Sequence, residues 1–325
     1  MSSRQQLSMP PGPLTEAYRA LHLVYVETRR HEEAVSALKR TILAGATSGR
    51  HSGLALIGPT GSGKTATVQY VERWLRVELG LSADGPSPLP IVLTTTRSTS
   101  KSLVSNVARA GGDPLAGTRT QDDEELNLRD AAPRMEVHGF AFDELHNAFA
   151  AKSESELTRM AMTMKTLANS LSMPLIAMGI NGLEDFLDAH PELRQRFERR
   201  VYLDDPQVTS VEDVRDMRKL LVAMNAMAPC DAQCELGTPD MLMRLLLAAE
   251  CRFGSVVNMV RSACALGAMG GQAQMTQENF CSAYREVAPR NKRKPEDNPF
   301  LMPIDTVKAL VKQMQSRRDR PQPTT

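Results

Sequence analysis

The sequence predicts an α/β fold in which helices cover both faces of a parallel sheet, followed by an all-helical segment. Short apolar runs alternate with helical patterns between residues 53 and 205, as in parallel sheets whose strands are buried on both faces. After Pro206 the strand-like runs stop, and residues 211–288 read as three or four helices. The length of 325 residues fits one α/β domain with a helical appendage, or two domains.

The N-terminal part of the chain precedes the predicted sheet. Residues 1–13 are polar and contain three prolines, so we expect a disordered N-terminal extension over residues 1–20. A helical pattern extends from Thr15 to Ala44, with Ala34, Leu38 and Ile42 four residues apart and an interruption at Tyr25.

The predicted α/β core comprises residues 21–206. Its expected strands are residues 53–58, 91–96, 135–145, 174–180 and 200–205. Helices are expected over residues 65–79, from a cap at Ser98 to about Arg109, and over residues 154–171, whereas the polar residues 111–125 read as a loop.

The predicted helical region, residues 207–290, has recognisable helix boundaries. Thr238-Pro239 combines a hydroxyl cap with proline at the first helical position. Gly270-Gly271 ends one helix, and Thr276 begins another. Residues 291–325 form a basic C-terminal tail with a charged linker and a basic amphipathic pattern. That pattern leaves two interpretations open, a partner-binding helix and a disordered end.

Charge is distributed unevenly along the chain. The formal net charge is +1, but from Arg290 to the end nine Lys and Arg residues face four Asp and Glu residues. Residues 290–325 therefore carry +5 and residues 1–289 carry −4. This distribution excludes a globally basic DNA-coating protein, so a nucleic-acid contact must come from a local patch or from the tail.

The cysteines and the hydropathy bear on the cellular compartment. Five cysteines are scattered through the second half of the chain; Cys230 and Cys234 lie four residues apart, but without a nearby histidine they are expected to be free thiols. No apolar run reaches the length of a membrane span, and the N-terminus has no signal-peptide pattern. We therefore expect a reducing, cytoplasmic location without membrane contact.

The most informative motif is the turn "GPTGSGKT", which follows an apolar run and precedes a helical pattern. It matches G-x-x-x-x-G-K-[ST], in which glycine amides surround a phosphate, the lysine reaches the β- and γ-phosphates and the hydroxyl ligates Mg²⁺. The predicted phosphate-binding residues are Gly58, Pro59, Thr60, Gly61, Ser62, Gly63, Lys64 and Thr65. The strand and helix on either side favour a P-loop over a chance glycine turn, and predict ATP and Mg²⁺ as cofactors.

A second motif, "FAFDE", supplies two acids at the end of an apolar run. We expect Asp143 to hold Mg²⁺ together with Thr65, and Glu144 to orient and polarise the attacking water. The alternative is that the acids only cap a helix. A glutamate directly after the aspartate favours ATP hydrolysis over phosphoryl transfer to a substrate.

The sequence "DELH" at residues 143–146 also matches a helicase box. Helicases of that class need a second motor domain, and the residues after 206 show no further alternation of strands and helices. The better match is the AAA+ class, which the chain resembles in three features. "PLIAMGIN" ends in Asn181 at the family's polar sensor position, "PELRQRFERR" carries arginines before the last strand, and a helical segment resembles the AAA+ lid.

The resemblance implies roles for these residues. Asn181 would lie beside the γ-phosphate, and Arg196 would complete the ATP site of a neighbouring subunit, with Arg194, Arg199 and Arg200 as alternatives. A solvated basic helix face is the plain alternative. The lid departs from the family, because Val257 lies where many relatives carry a sensor arginine; this predicts slow hydrolysis unless Arg252 or Arg261 substitutes.

Within AAA+, the chain resembles the TniB/TnsC group of DNA-transposition ATPases over roughly residues 20–290. The resemblance rests on "YVETRRHEEAVSAL", "GPTGSGKT", "FDELHN" and "HPELRQRFE". It implies a bacterial, nucleoid-associated protein whose ATP-bound subunits form rings or helical filaments around duplex DNA. It also implies a transposase and a TniQ-like adaptor as partners, disassembly on hydrolysis, and an adenine pocket that includes Tyr25 or Thr28.

The group's DNA-facing loops correspond here to residues 96–102 and 116–121. The predicted DNA-contact residues are Arg97, Lys101, Arg119 and Thr120. No aromatic residue lies in these loops, which favours contact with the backbone of duplex DNA over base stacking. Solvated loops are the alternative. Two other functions remain open, a replication-initiator or helicase-loader ATPase and a protein-remodelling ATPase that does not bind DNA.

Overall fold

The computed structural model describes residue 25 and residues 28–48, 53–150, 152–228, 231–232, 236–269 and 274–318. The chain divides into an α/β unit, Arg29–Asp204, and a helical unit that comprises Asp205–Thr325 together with Met1–Thr28. The predicted disordered extension lies outside the described residues.

The α/β unit is built on a five-stranded parallel sheet with the strand order β2-β3-β4-β1-β5. The strands are β1 (Leu54–Ile57), β2 (Ile91–Leu93), β3 (Phe140–Asp143), β4 (Leu175–Gly179) and β5 (Arg199–Tyr202). Every residue of β1, β3 and β4 is buried, because helices cover both faces of central parallel strands. The edge strand β2 is only partly covered, and 68% of Leu93 is exposed.

The helices of this unit supply the rest of its core. They are α1 (Arg29–Ser48), α2 (Lys64–Glu78), α3 (Ser100–Ala110), α4 (Gln121–Ala131), α5 (Glu154–Leu171), α6 (Gly182–Ala189) and α7 (Pro191–Arg196). Met160, Met164 and Leu167 of α5 pack with Phe140 and Phe142 of β3 in one apolar cluster. The methionines that recur at helical spacing in α5 are therefore core residues.

Helix α3 begins one residue later than a cap at Ser98 predicts. Thr99 is the cap; its hydroxyl accepts from the Ser102 amide while the Ser102 hydroxyl accepts from the Thr99 amide. This reciprocal pair satisfies two amides at once. The Ser98 hydroxyl instead accepts from the amide of Thr95 in the preceding turn.

The predicted loop at residues 111–125 contains the start of a helix. Thr120 caps α4 by accepting from the Asp123 amide. The buried Glu124 carboxylate accepts from the Ser105 hydroxyl and from the amide of Gly117. This polar helix can bury Glu124 because donors on α3 and at Gly117 satisfy its carboxylate.

The helical unit contains α8 (Val211–Met227), α9 (Pro239–Ala248), α10 (Phe253–Met269), α11 (Gln277–Val287) and α12 (Ile304–Arg318). Two short strands, β6 (Asp231–Ala232) and β7 (Gln274–Met275), pair in parallel. Thr238 and Thr276 cap α9 and α11 through their hydroxyls, as their sequence context predicts. Cys230, Cys234 and the Gly270-Gly271 helix end lie outside the described residues.

The C-terminal segment to Arg318 is part of the helical unit, which differs from the separate tail that the sequence suggested. Phe300, Val307 and Val311 are buried in the core of this unit. The Asn298 side-chain amide donates to the Cys281 carbonyl on α11. The sequence did not predict this packing, because α12 has many basic residues on its surface and buries only a few apolar side chains.

Two negative findings apply to the described part of the chain. It contains no helix long and apolar enough to cross a membrane. It also contains no group of three or more His, Cys, Asp or Glu side chains that could hold a metal ion, and Cys251, Cys264 and Cys281 are buried.

Candidate nucleotide site and arginine cluster

The phosphate turn, Gly58–Thr65, lies at the carboxyl edge of the sheet. It follows β1, and its first amide, that of Gly58, donates to the Gly179 carbonyl at the end of β4 over 3.0 Å. Asp143 ends β3, on the other side of β4. Because the strands are parallel, the ends of β1, β4 and β3 meet at one edge, which is where such sheets bind ligands.

The backbone of the turn depends on its glycines. Gly61 and Gly63 have φ values of +82° and +93°, in the left-handed region that favours glycine. Their amides donate to no backbone carbonyl of the described residues, and the first-turn amides of α2 have no partner within the helix. This cluster of donors at a helix N-terminus suits an anionic phosphate.

Lys64, the first residue of α2, is buried and folds back over the turn. Its Nζ donates to the carbonyl oxygens of Gly58 and Pro59 over 2.6 and 2.9 Å. Burial lowers the pKa of the Lys64 ammonium, while the carboxylates of Glu144 and Asp143 act in the opposite direction. The lysine is therefore held against the phosphate turn and feels both carboxylates, so its charge can serve a phosphate group there.

Thr65 and Asp143 come together across the edge of the sheet. The Thr65 hydroxyl donates to Asp143 Oδ2 over 2.8 Å, and Asp143 is buried. A hydroxyl and a carboxylate oxygen match the preference of Mg²⁺ for hard oxygen ligands. These two residues fit the metal that the motif implies, which would neutralise phosphate charge when bound.

Glu144 follows in a constrained conformation. Its φ is +52°, uncommon for a residue with a Cβ, and its amide donates to Asp143 Oδ1 over 2.9 Å. The His146 Nε2 lies 3.4 Å from Glu144 Oε2. His146 Nδ1 is buried and has no hydrogen-bond partner among the described residues. In the sequence this histidine lies within "DELH" and "FDELHN", and neither pattern assigns it a role of its own.

Asn181 is exposed and lies two residues beyond the end of β4. It precedes α6 without capping it through its side chain. Its position places it at the same edge as the phosphate turn, because β4 lies between β1 and β3. The sensor role of Asn181 stays a prediction.

The four arginines before and within β5 differ in their surroundings. Arg200 binds Glu184 and Asp188 on α6, and these contacts raise the pKa of Arg200 while lowering that of Asp188. Arg199 donates to the Thr41 hydroxyl on α1. These two arginines stabilise the unit itself. Arg194 and Arg196 stay candidates for the predicted finger, and of the two only Arg196 has an internal side-chain partner among the described residues, Asn169.

Arg196 lies at the amino edge of the sheet. Its carbonyl accepts from the amide of Gly53, directly before β1, and its guanidinium donates to the side chain of Asn169. The exposed Arg194 makes no side-chain hydrogen bond or ion pair with the described residues. Since β1 has four residues, roughly 13 Å of strand separates this edge from the phosphate turn.

The two predicted DNA loops differ in how their cations are held. Arg97, in the turn after β2, and Lys101, near the start of α3, are exposed and make no ion pair with the described residues. Arg119 instead donates to Asp113 Oδ2 over 2.5 Å, a contact that raises the pKa of Arg119. Thr120 is the cap of α4. The first loop therefore offers free cations, and the second is organised by internal contacts.

The remaining predicted residues belong to the helical unit. Tyr25 is half-buried, and Thr28 is buried. Val257 packs against the apolar core of this unit, and Arg252 lies 3.7 Å from the Glu250 carboxylate. Burial lowers the pKa of Arg261. Their suggested roles toward a nucleotide stay predictions.

Comparison with solved structures places the fold. The chain is similar to the Orc1 protein of Aeropyrum pernix in complex with DNA, with 16% identity, a TM-score of 0.58 and coverage of 92% of this chain and 87% of that one. Cdc6p from Pyrobaculum aerophilum gives 12% identity, a TM-score of 0.57 and coverage of 93% and 98%. Drosophila ORC bound to DNA gives 13% identity, a TM-score of 0.53 and coverage of 100% of this chain and 84% of that one. These likenesses confirm the AAA+ P-loop fold.

The sequence comparisons assign the family. No curated protein matches the chain. The family described as "Bacterial TniB protein" matches residues 22–204, which is more than half of the chain. The match covers the phosphate turn, the Asp143-Glu144 pair and the arginines before β5, and it confirms the resemblance that these motifs suggested. The chain belongs to the bacterial TniB family of AAA+ proteins.

Proposed function

We propose that this protein is an ATP-dependent regulator of DNA transposition. Its ATP-bound subunits assemble on duplex DNA into rings or helical filaments, mark the target and recruit the transposase, with a TniQ-like adaptor at the end of the assembly. Hydrolysis of ATP releases the subunits. Family membership and a fold shared with DNA-bound AAA+ proteins support this proposal.

The placement of the charged groups at the two edges of the sheet is the observation that carries the proposal. The phosphate turn, Asp143 and Glu144 lie at the carboxyl edge, whereas Arg194 and Arg196 lie at the amino edge. An arginine there is too far away to serve the site of its own chain directly. It is well placed to enter the site of an adjacent subunit, which makes the γ-phosphate a contact between subunits.

In the proposed reaction, the amides of the turn and the Lys64 ammonium bind the phosphates. Glu144 orients a water molecule toward the γ-phosphate, and its carboxylate accepts a hydrogen bond from that water. The arginine of the neighbour stabilises the charge that develops on the transferred group. Loss of the γ-phosphate then removes this charge-assisted contact between subunits, which explains release after hydrolysis.

DNA contact is assigned first to Arg97 and Lys101. Both are exposed cations without internal partners among the described residues, so they can bind phosphates without breaking another contact. Arg119 must leave Asp113 before it can do so. Few contacts per subunit suffice in an assembly, because weak contacts add along a filament.

Electron microscopy with long duplex DNA and a non-hydrolysable ATP analogue tests the assembly. Rings or continuous filaments on DNA support the proposal, whereas a protein that stays monomeric refutes it. Oligomers that form with ATP but ignore DNA favour the protein-remodelling alternative. The Orc-like fold keeps the replication-initiator alternative open, and binding at one defined origin sequence without a filament favours it.

A mixing experiment tests the arginine assignment. Lys64→Ala removes the nucleotide site of a subunit, and Arg196→Ala removes its proposed finger, so each variant alone is expected to lack ATPase activity. Mixed assemblies regain activity where an intact site meets an intact finger. Arg194→Ala and Arg199→Ala are the matched controls. If Arg194→Ala loses ATPase activity alone and regains it when mixed with Lys64→Ala, while Arg196→Ala is fully active, the finger is Arg194.

A further inference from the structure

His31, which lies on α1 and outside every motif of the phosphate turn, contacts the back of that turn. It is buried, and its Nε2 lies 3.1 Å from the Ser62 carbonyl oxygen. The carbonyl can only accept, so Nε2 carries the proton and donates it. The sequence gives no signal for this contact, because 31 positions separate the two residues.

The hydrogen bond fixes the direction of one peptide group. The Ser62 carbonyl and the Gly63 amide belong to the same planar trans peptide, so they point in opposite directions. When His31 holds the carbonyl toward α1, the Gly63 N–H must point away from α1. That amide donates to no backbone carbonyl of the described residues.

Neighbouring contacts do the same for other carbonyls of the turn. Lys64 binds the carbonyls of Gly58 and Pro59, and the amide and hydroxyl of Thr67 both donate to the carbonyl of Gly63. The Ser62 carbonyl receives its donor from outside the turn. His31 therefore supplies an orientation that the turn lacks in its own sequence.

The approach of the imidazole also explains the second glycine of the motif. A Cβ on Gly63 would lie 2.6 Å from His31 Nε2, closer than two such atoms can pack. Gly63 is thus required both by its φ of +93° and by the space that the histidine occupies. The absence of a side chain at Gly63 therefore allows the His31 ring to reach the Ser62 carbonyl.

We propose that His31 is a positioning residue that aims the Gly63 amide at the β-phosphate of the bound nucleotide. This inference rests on the proposed nucleotide site. His31 itself does not touch the phosphate; it acts through the Ser62–Gly63 peptide. Removal of the His31 imidazole is expected to weaken the binding of ligands that carry a β-phosphate and to leave the affinity for a ligand without a β-phosphate unchanged.

Four variants of the full chain test the role of His31. His31→Phe keeps a ring but removes the donor. His31→Gln places an amide N–H near the position of Nε2, whereas the shorter His31→Asn does not reach it. His138→Phe, at a half-buried histidine before the start of β3, is the matched control. The measurements are ADP and AMP affinities with Mg²⁺ and the melting temperature without nucleotide.

The expected result is a loss of ADP affinity of about 3- to 10-fold in His31→Phe and His31→Asn, the range that one net hydrogen bond gives. His31→Gln and His138→Phe retain wild-type ADP affinity, and AMP affinity changes in none of them. If His31→Phe does not fold, the comparison of Asn with Gln decides. Equal ADP affinities of His31→Asn and His31→Gln overturn this inference and leave the proposed nucleotide site untouched. A wild-type protein that does not bind ADP overturns the nucleotide site and this inference together.

Discussion

Replacement of Phe300 by alanine tests whether the C-terminal segment is structural. Phe300 is completely buried, and its ring centroid lies 5.3 Å from that of Phe280 on α11. Removal of a buried phenylalanine ring costs about 3–5 kcal/mol, from lost burial and the cavity left behind. Leu301 is the matched control, because it is the next residue and 54% of it is exposed; Leu301→Ala is expected to change stability by less than about 0.5 kcal/mol.

Hydrogen exchange of the full chain measures the effect locally. A loss of about 3–5 kcal/mol makes the amides of α11 and α12 exchange roughly 10²- to 10⁴-fold faster, up to the limit set by global unfolding. The single tryptophan, Trp74 on α2, reports in parallel that the α/β unit remains folded. Exchange in Phe300→Ala that matches Leu301→Ala refutes the structural role, and the segment then returns to being a separate tail.

Three further predictions concern the site, the DNA contact and pH. Glu144→Gln is expected to keep ATP binding and assembly but to lower the ATPase rate about 10²- to 10⁴-fold; a wild-type rate in a turnover assay contradicts the water-orienting role. The double variant Arg97→Glu, Lys101→Glu is expected to keep ATP affinity and to lose DNA affinity, whereas Arg119→Gln is expected to retain most of its DNA affinity. A titration with duplex DNA at several salt concentrations measures these affinities, and unchanged DNA affinity of the double variant moves the contact elsewhere. Asp188 has its pKa lowered by Arg200, so the pair stabilises the fold at neutral pH and this stabilisation is lost as the pH falls through that lowered pKa. Asp188→Asn is therefore expected to melt below wild type at pH 7 and to converge with it only below about pH 4; an equal difference at both pH values excludes the pair as the cause.

The sequence predicted the elements whose signals are local. Buried strands of four or five residues stood out as apolar runs, and α5 matches its periodic pattern from residue 154 to 171. The phosphate turn and the Asp143-Glu144 pair could be proposed from the sequence because their chemistry requires fixed residue types in a short stretch. The structure brings Thr65 and Asp143 into direct contact across 78 positions.

Features that depend on contacts between distant segments could not be predicted from the sequence. Helix α4, in a polar stretch, can bury Glu124 because its carboxylate finds donors on α3 and at Gly117. The commitment of Arg200 to α6, which separates it from Arg196, depends on the three-dimensional placement of Glu184 and Asp188. The position of His31 behind the turn likewise follows from the packing of α1 and from no pattern in the chain.

The opposite placement of the phosphate turn and the arginines has a geometric consequence. Two different faces that bind each other cannot be related by a two-fold axis, so subunits joined in this way repeat head to tail. Such a stack is directional. In the proposed open filament, one terminal subunit would offer an ATP site that lacks its guanidinium and the other a guanidinium without a site, so a partner could distinguish the two ends, whereas a closed ring would have no such ends.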